Sequence, residues 1–183
     1  MTGNKHKVQE AQNILEKYNI KISVKPLELE KIEIQSDSLE EIVRFAVNWI
    51  IERNNKCNFF LEDAGLFVDA LNGFPGPYSS YVLKTISYDG ILKLMEGIED
   101  RSAKFQSVIG LCFENEVRIF KGEVHGRISH EARGNKGFGF DPIFIPNGYS
   151  KTFAEMDLEL KNSMSHRGKS IKKMAEYLKK KGF

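Results

Sequence analysis

Residues 103–113 (AKFQSVIGLCF) and 117–128 (VRIFKGEVHGRI) are two apolar, partly alternating runs joined only by Glu114, Asn115 and Glu116. Polar residues between two such runs read as a β-hairpin. A hairpin this long commits the chain to a sheet, and the helical patterns on either side must pack on it. Val8, Ala11, Ile14, Leu15 and Tyr18 recur at the spacing of one helix face. Ser38, Leu39, Glu40 and Glu41 fit a capping box, and Leu39, Ile42, Val43, Ala46, Trp49 and Ile50 carry that second helix onward. A short helix over residues 90–96 stops at Gly97. Two helices close the chain, the last with Ile171, Met174, Ala175 and Leu178 on one face. Residues 21–34 alternate as a strand, and residues 58–61 form a short strand ending at Glu62, Asp63, Ala64 and Gly65. Residues 73–77 (GFPGP) are a rigid turn, and residues 143–145 (IFI) a last strand. The expected fold class is α/β, a single domain over residues 1–183 with a mixed central β-sheet flanked by helices.

Composition narrows the function classes. Hydrophobic residues are 41% and charged residues 28% of the chain, the balance of a globular protein rather than a disordered one. No apolar run approaches the roughly 20 residues of a membrane helix, and the polar, basic start carries no leader pattern. Cys57 and Cys112 both sit in apolar stretches and read as buried thiols of a reducing cytoplasm. The net charge of +2 is uneven: from Lys169 onward there are six lysines and one glutamate, which leaves −3 for the first 168 residues. That basic tail reads as a solvated helix face, so neither nucleic acid nor membrane is an expected partner.

Four stretches carry potential chemistry. Thr2, Gly3 and Asn4 precede a helix whose first turn holds Lys5, His6 and Lys7. Free N–H groups at a helix start, a glycine and nearby cations suit an anion, although GxxxxGK[ST] is absent and a plain capped helix is the alternative. Glu33, Glu62 and Asp63, placed at expected strand ends, are oxygen ligands suited to Mg²⁺ bridging phosphates; taken singly, each also reads as a surface acid. Ser165 looks like an N-cap, which puts His166 and Arg167 in a helix first turn where cations oppose the dipole by roughly 0.3–1 kcal/mol each. An electronegative partner there would explain them. In GFGFDP, Phe138 offers a face for a base and Asp141 is held extended before Pro142; the alternative is a glycine-bounded turn with Phe140 as a core plug.

Thr2, Gly3 and Asn4 with Lys7, Glu62 and Asp63 followed by Gly65, GFPGPYS at residues 73–79, FGFDP at residues 138–142, and TFAEM…KNSMSHR at residues 152–167 together resemble the inosine triphosphate pyrophosphatases, also called XTP/dITP diphosphatases. The likeness runs through nearly the whole chain in order. It implies an elongated, two-lobed α/β fold with a cleft between lobes. It implies a Mg²⁺-dependent, homodimeric enzyme that converts ITP, dITP and XTP to monophosphate and pyrophosphate. By the same resemblance, Thr2, Gly3, Asn4, Lys5, His6 and Lys7 would bind triphosphate. Glu33 and Asp63, with Glu62 beside it, would hold metal, and Asp63 would be the catalytic acid/base. Ala64, Phe138, Gly139, Phe140, Asp141, Lys161, His166 and Arg167 would contact nucleoside and phosphate.

Three departures stand out. Ala64 replaces the usual Ser or Thr, no basic residue sits at Ser80, and only Met1 precedes the opening motif where relatives carry an apolar strand. A start clipped upstream is the expectation for the last. The alternatives are a Maf-like nucleotide pyrophosphatase acting on other bases, and a non-enzymatic nucleotide- or RNA-binding protein using the basic tail.

Overall fold

The computed structural model describes residues 5–20, 32, 34–54 and 58–182, with the backbone alone at Lys5 and His6. Thr2, Gly3, Asn4, Glu33 and most of the strand expected over residues 21–34 lie outside the described residues.

Five strands form one sheet in the order β2-β1-β3-β4-β5. They are β1 (Phe59–Val68), β2 (Pro75–Gly76), β3 (Ser102–Phe113), β4 (Glu116–Ile128) and β5 (Phe144–Pro146). The helices are α1 (Lys5–Lys17), α2 (Leu39–Asn54), α3 (Ser79–Thr85), α4 (Ser87–Leu94), α5 (Leu158–Met164) and α6 (His166–Lys180). The long hairpin is as expected, β3 with β4. Glu114 and Asn115 both take left-handed φ (50° and 62°), the backbone of a tight two-residue connection. Every pairing among the described residues is antiparallel, so the parallel pair of a mixed sheet does not occur among them.

β1 corrects the sequence reading. It does not stop at Leu61 but continues to Val68, so Glu62 and Asp63 lie mid-strand rather than at a strand end. Gly65, placed at the end of the expected strand, lies within β1 and serves a close approach. A Cβ there would stand 2.2 Å from the Gly76 carbonyl oxygen, so only glycine lets β2 lie alongside. The helix of residues 79–85 was not expected at all.

The apolar core divides along β3. Ala103 and Phe105 join a cluster with Ile91, Phe140, Phe144 and Phe153. Ile109 and Leu111 pack on α1 and α6 through Leu15, Ile171 and Met174. Val108 and Cys112 pack on α2 through Val43, Val47 and Ile50. The two ends of β3 thus anchor separate packing centres, consistent with a two-lobed layout. Ser107 sits at the junction, fully buried.

Helix ends follow the sequence. Ser38 Oγ accepts the Glu41 N–H at 3.3 Å, one half of the capping box; the Glu41 carboxylate takes the Ser36 hydroxyl instead. Ser165 Oγ accepts the Gly168 N–H at 3.0 Å, so Ser165 is the N-cap of α6. α6 lies against β4 at Gly122, where a Cβ would stand 2.0 Å from the His166 carbonyl oxygen.

One further expectation is overturned. Cys112 is disulfide-bonded, its partner lying outside the described residues, so it is not a buried thiol. The basic tail is the solvated helix face expected, with Lys169, Lys172, Lys173, Lys179 and Lys180 exposed, and some of these lysines also reach neighbouring groups. Lys169 and Lys173 donate to the carbonyls of Glu123 and Lys121 at 2.7 Å each, and Lys181 pairs with Glu114. These ammonium groups cap β4 carbonyls beyond the reach of β5, which pairs only from Gly126 onward. No helix among the described residues is long and apolar enough to cross a membrane.

Candidate active site

Strand alternation sends neighbouring side chains to opposite faces, and β1 uses this at Glu62 and Asp63. Leu61 and Phe67 pack on the α2 face, Phe60 on the α1/α6 face. Glu62 therefore joins Phe60 beneath α1 and α6, while Asp63 shares the α2 face with Leu61. The two adjacent acids do not converge on one point.

Glu62 is the hub of a buried polar cluster. Its Oε1 accepts from Arg167 Nε at 3.1 Å and from Ser107 Oγ at 2.9 Å. Lys7 Nζ lies 2.8 Å from Oε2 as an ion pair without hydrogen-bond alignment. Arg167 also donates from Nη1 to Glu10 at 2.7 Å, and Glu10 in turn takes Lys161 Nζ at 3.1 Å. Lys161 donates on to Asp141 at 2.7 Å. Glu10, Glu62, Asp141, Lys161, His166 and Arg167 are all buried. Among the described residues the charges cancel: three carboxylates against Lys7, Lys161 and Arg167, with His166 neutral.

The titration behaviour follows from that packing. Burial by itself would raise the Glu62 carboxyl, but Arg167 and Lys7 hold it far below the usual range, so it stays ionised. Burial lowers the His166 imidazole well below its ordinary value, and the Arg167 charge lowers it further. For Arg167, burial works against the charge, yet Glu62 and Glu10 overcome it and push the guanidinium up. Burial pushes the Asp141 carboxyl up, against the pull of Lys161 and of the Phe138 N–H, which donates to it at 2.8 Å.

The electronegative partner sought for His166 and Arg167 at the start of α6 is thus the protein's own: Glu62 for Arg167, with Glu10 behind it. His166 meets the helix dipole by staying neutral. Its ring stacks on Phe105 at 4.7 Å, and its Nδ1 is buried without a hydrogen-bond partner among the described residues. Arg167 Nη2 likewise carries no protein hydrogen bond among them. Both atoms are donors or acceptors left over for a ligand.

The glycine-rich loop is pinned, not flexible. The Lys136 N–H donates to the Ala154 carbonyl at 3.0 Å, and Thr152 Oγ1 donates to the Arg133 carbonyl at 2.8 Å. Phe138 so held lies beneath two cations, with Lys161 Nζ 4.9 Å and Arg167 Cζ 5.4 Å from its ring centre. Phe140 is 3% exposed in the first core cluster, the core plug of the alternative reading. Gly139 turns the chain between them in a left-handed conformation.

On the other face, Asp63 Oδ1 accepts the Ala64 N–H at 3.0 Å, so that N–H is spent on the neighbouring side chain. The structure brings Lys7, Glu62, Asp141, Lys161, His166 and Arg167 together and sets Asp63 across the sheet from them. Lys161 lies among Glu10, Asp141 and Phe138. Glu10, which bridges the two interior cations, escaped the sequence reading. Its signal was a charged residue at the i+3 position from Lys7 inside an apolar helix face, next to Ala11 and Ile14.

Residues 1–177 match the sequence model of the Ham1 family. The chain belongs to the Ham1 family. It is 50% identical over 179 residues to a protein of Ignicoccus hospitalis named dITP/XTP pyrophosphatase, covering 97% of this chain and 94% of that one. It is 51% identical to a Pyrococcus horikoshii protein of the same name, covering 98% and 95%. Among solved structures, a HAM1 protein from Coxiella burnetii superposes with a TM-score of 0.84 at 28% identity, covering 98% of this chain and 96% of that one. The resemblance drawn from the motifs therefore holds, and so does the α/β fold.

Proposed function

We propose that this Ham1-family chain hydrolyses ITP, dITP and XTP between the α- and β-phosphorus, releasing the nucleoside monophosphate and pyrophosphate. The observation that carries the reading is the buried, charge-balanced cluster of Arg167, Lys161 and His166 beside Phe138, with Arg167 Nη2 and His166 Nδ1 unspent. A neutral cluster with spare donors suits an uncharged purine better than a phosphate. Hypoxanthine and xanthine carry a keto oxygen where adenine has an amino group. An Arg167 N–H aimed there rewards the first two and is left unpaired against the third, a penalty of about 1–3 kcal/mol.

That same balance leaves no described surplus of positive charge for the polyphosphate. Mg²⁺ fits this need, because it is commonly held by one or two carboxylates together with substrate phosphates. Asp63 and Glu33 would hold it. Glu62, whose oxygens face two cations and a hydroxyl on the opposite side of the sheet, would not; its role is to position Arg167 and Lys7. When bound, the ion offsets phosphate charge and polarises the α-phosphoryl oxygens. Asp63, its rotamer fixed by the Ala64 N–H, orients a water and takes its proton. The water oxygen bonds to the α-phosphorus as the bond from that phosphorus to the bridging oxygen breaks, and pyrophosphate departs. Thr2, Gly3, Asn4, Lys5 and His6 would hold the leaving phosphates. A homodimer in the cytoplasm completes the reading, with exposed Phe74, Tyr78 and Tyr81 as a candidate contact.

The test is pyrophosphate release from ITP, dITP, XTP, ATP and GTP with and without Mg²⁺. Release confined to the first three and dependent on the ion is expected; equal rates on ATP would refute the reading. Arg167→Ala should flatten the preference for ITP over ATP by about tenfold or more, measured as a kcat/KM ratio.

A further inference from the structure

Ser107 on β3 and Ser170 on α6 are both fully buried, and their hydroxyls are 2.9 Å apart. Neither belongs to the set expected to touch substrate. We propose that they are positioning residues, forming a one-way hydrogen-bond relay from α6 through β3 that fixes the Glu62 carboxylate and, through it, the aim of Arg167. The inference deepens the function proposed above and rests on it.

Counting hydrogens gives the relay its direction. Each Glu62 oxygen faces a cation, Arg167 Nε at 3.1 Å and Lys7 Nζ at 2.8 Å, so the carboxylate acts as an acceptor. Ser107 therefore spends its one hydrogen on Glu62 Oε1, at 2.9 Å. Having nothing left to donate, Ser107 can only accept from Ser170. The Ser170 hydrogen is shared between Ser107 and the Arg167 carbonyl at 3.1 Å. With both hydroxyls closed to water, no solvent molecule can substitute for either. Each donation increases the polarity of the next, so Ser107 reaches the carboxylate as a strengthened donor.

Geometry shows what this accomplishes. Glu62 Oε1 takes two donors, Ser107 from the central strand and Arg167 Nε from α6, while Lys7 draws on Oε2. Lys7 is a point charge on a flexible stem and sets no direction, whereas a hydroxyl on a strand paired on both sides is a fixed reference. Without it, the carboxylate is free to turn toward Lys7. Arg167 Nε must follow, and the Nη2 group swings with the planar guanidinium. A base-reading donor displaced by a fraction of an ångström loses selectivity before it loses anything else.

Kinetics on dITP and dATP separate this from simple packing. Ser107→Ala should lower the dITP-to-dATP ratio of kcat/KM by roughly tenfold, with Ser170→Ala moving it the same way by less. Ser107→Thr, which keeps the hydroxyl, should hold the wild-type ratio. In a Glu62→Met background, which has no oxygen to accept from Ser107, Ser107→Ala should add nothing, because the relay has lost its terminus. A Ser107→Ala enzyme with lowered melting temperature but unchanged ratio would overturn the proposal, as would full additivity with Glu62→Met. Should Ser107→Ala fail to fold, Ser170→Ala decides alone by the same ratio. Arg167→Ala distinguishes the two levels: if it flattens the ratio while the serine variants do not, only the relay fails. If it too leaves the ratio alone, the base-reading role of Arg167 fails.

Discussion

His166 offers the cleanest electrostatic test, because a buried neutral imidazole binds fewer protons folded than unfolded. Burial is the main cause of its lowered affinity for a proton, and the groups facing it are Arg167, Glu62, Lys161 and Lys7. Its ordinary value is 6.5. Since the folded value is depressed, the unfolded chain takes up a proton first as pH falls, and stability declines with it. Above the ordinary value the contribution is complete. One pH unit below it, at about pH 5.5, a folded state that keeps the imidazole neutral has lost roughly 1.4 kcal/mol relative to pH 8. Glu62 does not interfere, being ionised throughout that window. His166→Asn removes the titration while keeping a polar side chain of similar reach. Urea unfolding of both proteins between pH 8 and 5.5 should show the wild type losing about 1.4 kcal/mol more than the variant, whatever the variant's absolute stability. Exposed His125 and His130 are common to both and cancel in the difference. Equal slopes would mean that His166 is charged in the folded protein, and the neutral-base pocket would fall with it.

Three further outcomes test other parts of the structure. Asp63→Asn should cut kcat by a factor of about 10²–10⁴, the usual worth of a general base, while leaving substrate binding measured by calorimetry near wild type. Glu10→Gln leaves Arg167 with Glu62 and Lys161 with Asp141 but one interior positive charge unbalanced, and should cost about 3–5 kcal/mol in chemical denaturation; a loss under 1 kcal/mol would mean that water reaches the cluster. Gly122→Ala places a methyl group 2.0 Å from the His166 carbonyl oxygen, so α6 must shift. About 1–3 kcal/mol of stability should go with it, together with activity, whereas an enzyme of unchanged kcat/KM would show that α6 moves without disturbing Arg167.

The sequence disclosed elements whose signals are local. The hairpin turn, the Ser165 cap and the apolar faces of α1, α2 and α6 each follow from residues a few positions apart, and all are observed. What it concealed depends on distant approach. Residues 62–65 read as the end of a short strand, yet β1 runs on through them and Gly65 lets the Gly76 backbone approach. The lysines of α6 are solvated as read, but the carbonyls that Lys169 and Lys173 reach could not be foreseen because they belong to another element. Cys112 read as a thiol because nothing nearby in sequence hints at a bridge. The site divided in the same way. Arg167 and Lys161 were found through their motif, but Glu10, Ser107 and Ser170, which hold them, carry no local mark.

The placement of Glu62 and Asp63 shows why two consecutive acids serve one reaction without duplicating each other. Had β1 ended at Leu61, both could have turned into a common loop and shared a cation. Because the strand runs through them, the pleat forces one under α6 and the other toward α2. Glu62 then pairs with interior cations, where an added Mg²⁺ would meet Arg167 and Lys7 as repelling neighbours. Asp63 sits on the opposite face of the strand, where its Oδ1 accepts the Ala64 N–H. Moving the charge across the strand should therefore not conserve function. A Glu62→Gln enzyme should keep Mg²⁺ dependence with altered base preference. An Asp63→Asn enzyme should keep base preference in binding while its response to Mg²⁺ weakens. If Glu62→Gln instead raised the Mg²⁺ concentration needed for half-maximal rate and left the dITP-to-dATP ratio intact, the division of labour across the sheet would be refuted.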